Sequence, residues 1–287
     1  MVPLLDGLGE AVTGWRVQVD VDDLESQTRA AISRLYGQNG NLRMARRLAC
    51  EARAYAELER QYLPRFDRVF VCSEADRKAL RSKVPGIEPL VLPNVVPNGN
   101  LRQRKGRRPP FVFMFVGSLA YYPNAEGVQH FCSEIIPILR RRISTDWEFR
   151  IVGGGLSWWT ARRLRRIPEV RVLGHLPDIR SCYEDADAMV LPLRAGGGTR
   201  IKALEAFACG VPVLSTSIGV HGLDVRHGIE VAIADSPESF AEACIQLVED
   251  ESFRCGLARH ALQRAQRSYH PRCLRHVLLG EGKRSVS

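Results

Sequence analysis

The sequence offers no metal-binding or disulfide spacing. Its eight cysteines form no CxxC pair, and its seven histidines contain no HExxH pair. Several cysteines sit inside apolar runs, where a free thiol packs as a small hydrophobe. A reducing, cytoplasmic setting therefore fits better than a secreted disulfide framework. No stretch approaches the ~20 apolar residues of a membrane span. Met1–Leu8 is short, lacks a basic start and carries Asp6, unlike a signal peptide. No basic stretch is interleaved with aromatics, which argues against nucleic acid as a partner. No internal repeat or low-complexity tract stands out.

What is present is an ordinary globular composition, with 25% charged and 45% hydrophobic residues in 287. That length allows one large domain or two ordinary ones. Lys and Arg total 41 against 32 Asp and Glu, a formal charge of +9. Such a balance suits nucleic acid, anionic lipid or phosphorylated small molecules and does not by itself choose between them. The basic residues cluster at Arg102–Arg108, Arg140–Arg142 and Arg162–Arg166.

Apolar runs of strand length alternate with amphipathic segments of helix length. Before residue 93 we expect strands at Arg16–Val19, Arg68–Cys72 and Leu90–Leu92. Helices are expected over Leu42–Leu63 and Glu74–Lys83, with Ser73 as N-cap of the second. Residues 94–110, rich in Pro, Gly, Asn and basic side chains, read as a linker. From Phe111 the alternation is clearer. Strands are expected at Phe111–Val116, Trp147–Val152, Val170–Leu173, Ala188–Leu191, Val211–Ser215 and Val231–Ile233. Helices are expected over Ala125–Arg141, with a kink at Pro137, and over Ser157–Arg166, Ile179–Glu184, Arg200–Cys209, Pro237–Glu249 and Ser252–Arg267. Short, continuously apolar strands separated by helices imply a parallel sheet covered on both faces. Such sheets bind ligands where strands end and loops lead into helices.

The most informative of those loops follows the strand ending near Pro192. Gly196, Gly197 and Gly198 precede a helix that opens near Thr199. Glycines let backbone approach a ligand, and a helix N-terminus attracts anions. Thr199 adds a hydroxyl, and Arg200 and Lys202 add positive charge. The composite suits a diphosphate, although a glycine-rich turn before a surface helix has the same spelling. Glu205 lies among Leu204, Ala206, Phe207 and Ala208, where a carboxylate needs a partner. A ribose diol would serve, and so would an ion pair with Lys202. Trp158 and Trp159 either shield a ligand or pack on a neighbouring domain.

The segment TRIKALEAFACGVPVLST resembles the E-A-x-A-x-G-x-P-V signature of family-4 GT-B glycosyltransferases. FVGSLAYYPNAEGVQHF, FRIVGGG and VRVLGHLPDIRSCYEDADAMVLP resemble the family's other donor-domain motifs, in the right order. The likeness runs over roughly residues 68–270. It is nearest to bacterial surface-polysaccharide sugar transferases with a G-G-G-T-R-x-K form. It implies an α/β, GT-B-like fold of two Rossmann-like lobes with parallel sheets, the N-terminal lobe incomplete. The implied division is a partial acceptor-side lobe over 1–93, a linker over 94–110, a nucleotide-sugar donor domain over 111–270 and a tail over 271–287.

By position, the resemblance assigns the nucleotide's ribose to Glu205 and the diphosphate to Gly197, Gly198 and Thr199. It puts Asp178 and Ile179 at the base, and Gly117 and Ser118 at the distal phosphate or sugar. The family's first glutamate, eight positions before Glu205, is Gly197 here, and its usual Arg and Lys after the first donor-domain strand are absent. Arg200 and Lys202 are expected to take over the diphosphate. In VDVDDLES, Asp22 or Asp23 stands where many members place a His near the reacting sugar, although clustered Asp also forms turns. The implied activity is sugar transfer with retention, from a nucleotide-diphosphate donor to a glycan or lipid-linked acceptor, in surface-polysaccharide synthesis. No cofactor or metal is expected. The expected location is cytoplasmic, with possible peripheral association at the inner membrane face. The alternative is a non-catalytic nucleotide-sugar-binding module, or one part of a split enzyme.

Overall fold

The computed structural model describes residues 16–96 and 109–274. The basic cluster at Arg102–Arg108, most of the expected linker and most of the expected tail lie outside these residues. The chain divides into two compact units. The first comprises the residues up to Asn94 together with Ala195–Thr199 and a C-terminal stretch beginning at Leu274, and the second comprises Val95–Arg194 and Arg200–Cys273.

In the first unit, β1 (Gln18–Val21), β2 (Arg68–Val71) and β3 (Leu90–Val91) form a parallel sheet in the order β1-β2-β3. Helices α1 (Glu25–Gln38) and α2 (Leu42–Tyr62) separate the first two strands, and α3 (Glu74–Lys83) separates the last two. Ser73 caps α3 by accepting a hydrogen bond from the Asp76 amide at 3.1 Å. Leu24, Leu63, Val69, Val71, Leu80, Val84 and Ile87 make the unit's core. Two details differ from the sequence reading. The first strand starts two residues later, and α1 was not expected. Its apolar residues are sparse, and polar contacts join the buried Ile32 and Leu35 in holding it. The Ser26 hydroxyl donates to Glu59 at 2.6 Å, and Arg29 pairs with Glu51 at 2.6 Å. Those partners lie on α2, beyond the reach of a local pattern.

The second unit is built on six parallel strands: β4 (Phe111–Val116), β5 (Trp147–Val152), β6 (Val170–Gly174), β7 (Ala188–Leu191), β8 (Val213–Ser215) and β9 (Ala232–Ile233). Every residue of β4 and β7 is buried, as a sheet covered on both faces requires. The order is β6-β5-β4-β7-β8-β9. Chain order thus runs outward from β4 to one edge, then returns to the middle and runs to the other. The reversal makes a topological switch point between β4 and β7, where crossover loops diverge and leave a crevice at the strand ends.

Helix α4 (Tyr122–His130) runs through a π-helical turn at Phe131–Ile135 into α5 (Ile136–Arg142). Pro137 has no N–H for the carbonyl one turn back, and its ring would crowd that carbonyl. The widened turn directly before it relieves the conflict. Helices α6 (Trp158–Leu164), α7 (Arg180–Asp185), α8 (Ile201–Ala208), α9 (Pro237–Glu249) and α10 (Glu251–Ser268) complete the unit. Ser236 opens α9 with a capping box, and Asp250 caps α10. The core is aromatic at its centre. Phe131 and Phe149 are fully buried with ring centroids 4.4 Å apart. Phe149→Ala should cost about 3–5 kcal/mol of stability. Chemical denaturation measures this, and a loss below about 1 kcal/mol would contradict so tight a core.

Candidate nucleotide-sugar site

Two loops meet the switch point in the second unit. The first leaves β4 at Gly117–Ser118. A side chain at Gly117 would place its Cβ 2.7 Å from Lys202 Nζ and 2.9 Å from Asn124 Nδ2, so it would displace the ends of both side chains. The second loop follows β7 and leads into α8. Arg194 pairs with Glu126 of α4, its Nε donating to Oε1 at 3.0 Å, and fixes the chain as it enters the glycine run. A Cβ on the neighbouring Gly127 would stand 2.7 Å from the Pro192 carbonyl, so α4 and this loop pack backbone to backbone.

Helix α8 starts at Ile201 with Arg200 as its N-cap, a little later than the sequence suggested. Lys202, on its first turn, reaches across the switch point. Its Nζ donates to Asn124 Oδ1 at 2.7 Å and lies 4.7 Å from the centroid of Phe115. Asn124 in turn donates from Nδ2 to the Ser118 carbonyl at 2.8 Å. One amide therefore ties the lysine to the Gly117–Ser118 turn. Burial, and secondarily the Arg200 guanidinium, push the Lys202 ammonium down to about 7, and Glu205 opposes this in part.

Glu205 faces Tyr183 of α7, whose hydroxyl donates to Oε2 at 2.9 Å. Burial, then the Glu205 charge, raise the Tyr183 phenol well above its usual value, so it stays a donor. Of the two alternatives for Glu205, the ion pair with Lys202 is not formed. Lys202 turns to Asn124, and among the described residues Glu205 makes no salt bridge. Arg200 is buried.

Beside these groups, at the ends of β4, β5 and β6, lies a cleft of about 340 Å³. Gly117, Ser118, Gly153, Gly154, His175 and Ile179 are among its lining residues. Asp178 is exposed and instead accepts from the Arg180 amide at 2.9 Å, shaping the turn into α7. The structure therefore gathers Gly117, Ser118 and Ile179 at one cleft and Lys202 against Gly117. Tyr183 and Asn124 are the side chains that sequence reasoning did not assign. Tyr183 is 22 positions from Glu205, and no local pattern connects them.

The remaining candidates belong to the first unit. Asp22 Oδ1 accepts from Cys72 Sγ at 3.2 Å and from Asn94 Nδ2 at 3.3 Å, and Asp23 Oδ1 accepts from Thr28 Oγ1 at 2.6 Å. A Cβ at Gly197 would collide with Thr28 Oγ1 and the Asp23 carboxylate, so there is no room for a glutamate there. Gly198 has φ +66°, a conformation that favours glycine, and lies beside the Asp22 carbonyl. The Thr199 hydroxyl is buried without a hydrogen-bond partner among the described residues. No group of three or more His, Cys, Asp or Glu among the described residues is placed to hold a metal ion. No described helix is long and apolar enough to cross a membrane.

The cleft at the ends of β4, β5 and β6, the glycine turns and the parallel sheets define the class: this is the GT-B fold. Anabaena HepE, in complex with UDP and glucose, superposes with a TM-score of 0.69 at 17% identity, covering 96% of this chain and 74% of that one. Residues 110–250 match the family described as glycosyl transferases group 1. D-inositol 3-phosphate glycosyltransferase of Corynebacterium urealyticum is 35% identical over 92 residues, 31% of this chain and 22% of that protein. Its namesake in Paenarthrobacter aurescens is 28% identical over 177 residues, 58% of this chain and 42% of that protein. The chain thus spans less than half the length of these curated relatives.

Lys202 yields a pH prediction. Its folded value, about 7, lies below its ordinary 10.5, so between these values the unfolded chain holds more protons. Stability should therefore rise with pH from ~7 to ~10 through this group, and fall again as pH drops. Lys202→Met should flatten that rise in denaturation curves across the window. An unchanged slope would mean that Lys202 titrates normally.

Proposed function

We propose that this chain is a hexosyltransferase of the family-4 type, moving a sugar from a nucleotide-diphosphate donor to a glycan or lipid-linked acceptor with retention of configuration. The observation that carries the reading is the arrangement of Lys202 and Glu205 on one helix. Lys202 is drawn to Asn124 and the Gly117–Ser118 turn, while Glu205, among the described residues, accepts from the neutral Tyr183 hydroxyl. A cation at the glycine turn and an acceptor one helical turn on match the two ends of a nucleoside diphosphate.

In this reading, residues 111–270 are the donor domain and the G-G-G-T-R-x-K run is its diphosphate grip. Glu205 accepts hydrogen bonds from the ribose hydroxyls. Arg200 and Lys202, with the Thr199 hydroxyl and the amides of Gly197 and Gly198, hold the diphosphate as the leaving group gains charge. The base enters the cleft at Ile179, with Asp178 setting that loop, and Gly117 and Ser118 border the distal phosphate. Residues 1–93 form an acceptor-side lobe, in which Asp22 and Asp23 orient the sugar or acceptor. The reaction needs no metal, because the two cations and the helix N-terminus supply the charge. The likeness to the fold of HepE, itself seen with UDP and glucose, supports a uridine nucleotide. Surface-polysaccharide synthesis at the cytoplasmic face of a membrane is the setting we propose.

Calorimetry with UDP, followed by UDP release from UDP-sugars with a lipid-linked acceptor, tests this. Wild type should bind UDP, and Arg200→Glu with Lys202→Glu should weaken binding at least about tenfold, given the strength of charge-assisted hydrogen bonds. Glu205→Ala should weaken it by a similar factor. Unchanged binding in both variants removes these residues from the site. Binding without UDP release under any donor would leave a nucleotide-sugar-binding module rather than an enzyme.

A further inference from the structure

The three basic clusters of the sequence are not equivalent. Arg102–Arg108 lies outside the described residues. At Arg140–Arg142 the charge is compensated: Arg140 pairs with Glu169 at 2.7 Å and Arg142 with Glu242 at 2.8 Å. At Arg162–Arg166 it is not. Arg162, Arg163, Arg165 and Arg166 are exposed, and none of the four pairs with a carboxylate among the described residues. The stretch from Ser157 to Pro168 carries these four arginines and no Asp or Glu.

The same short helix, α6, carries the two most exposed large apolar side chains of the described residues. Trp158 is 60% exposed and Trp159 is 75% exposed, against a core in which residues of this size are buried. Their rings meet edge to face, with centroids 4.5 Å apart, and the Arg162 guanidinium lies 5.5 Å from the centroid of Trp158. Leu164, 1% exposed, anchors the helix to the core. Arg162 and Arg163 follow Trp158 and Trp159 by one helical turn each, so rings and charges share the outward side. Among the described residues both rings stay largely exposed.

Leaving two indole rings in water is unfavourable unless something covers them. Two features together select the cover. Tryptophan favours the headgroup level of a bilayer, where one part of the ring is apolar and the N–H is wet. Uncompensated arginines favour anionic lipid over neutral lipid. We infer that Trp158, Trp159 and the arginines at 162–166 form a docking surface for an anionic phospholipid bilayer. This names the surface for the peripheral association proposed above, and it does not depend on how the nucleotide binds.

Co-sedimentation of the full chain with vesicles tests it. One vesicle is phosphatidylcholine alone and the other is an equal mixture of phosphatidylcholine and phosphatidylglycerol. The protein should sediment with the mixture, weakly or not at all with phosphatidylcholine, and lose binding as salt is raised. Trp158→Ala with Trp159→Ala should abolish sedimentation and remove the blue shift of tryptophan emission that the mixture induces. Arg162→Gln with Arg163→Gln should lower affinity roughly 30-fold. Both double variants change exposed side chains, so their unfolding midpoints should equal wild type. Failure of wild type to bind the mixture, equal binding to both vesicles, or wild-type binding by either variant would overturn the inference. A surface that instead captures a soluble protein or glycan gives the first of these results. UDP affinity measured on the same variants separates this inference from the donor site, since only a fault in the latter would leave wild type unable to bind nucleotide.

Discussion

The hydrogen bond from Lys202 to Asn124 closes the switch point of the second unit. Strands β4 and β7 lie side by side because chain order reverses there, and their loops diverge. Lys202 spans the gap from the β7 side, and Asn124 ties it to the turn after β4. The glycine at 117 leaves room for that ammonium. An uncompensated cation in a partly buried position is unfavourable, and the lowered proton affinity of Lys202 reflects this. A bound anion would reverse the penalty. The same group whose burial is unfavourable is thus available to strengthen a complex.

Glu205 follows from this arrangement. Had Lys202 folded back on it, the helix would carry a closed internal pair. With Lys202 engaged elsewhere, Glu205 takes a neutral donor from Tyr183, which orients the carboxylate without neutralising it. The helix therefore presents a cation and an anion along one side.

Much of the second unit was legible in the sequence because its signals are local. Continuous apolar runs gave Phe111–Val116 and Ala188–Leu191, and the alternation of apolar with charged residues gave Trp147–Val152, all at the observed bounds. The α/β class and parallel sheets followed from their alternation with helices, and the GT-B fold agrees with the resemblance. Pro137 marked a distortion, and the structure sets it one turn earlier, as a π turn, because the neighbouring carbonyl is what the ring disturbs. Less was legible where partners are distant. Helix α1 is held by Glu51 and Glu59, Glu205 by Tyr183, and Lys202 by Asn124, each far along the chain. The choice between ribose ligand and ion pair for Glu205 could not be made from spacing, since Lys202 is at helical distance from it in either case. Gly197 shows the same limit. Its place in the sequence suggested backbone approach to a ligand, and its surroundings add what spacing could not show, that Thr28 and Asp23 exclude a side chain there.

The account rests on a diphosphate taking the place that the Lys202 ammonium now prepares. A crystal structure with UDP bound tests this most directly. It should show a phosphoryl oxygen within hydrogen-bonding distance of Lys202 Nζ and the ribose hydroxyls on the Glu205 carboxylate. Nucleotide bound elsewhere, with Lys202 and Glu205 keeping only Asn124 and Tyr183 as partners, would contradict it.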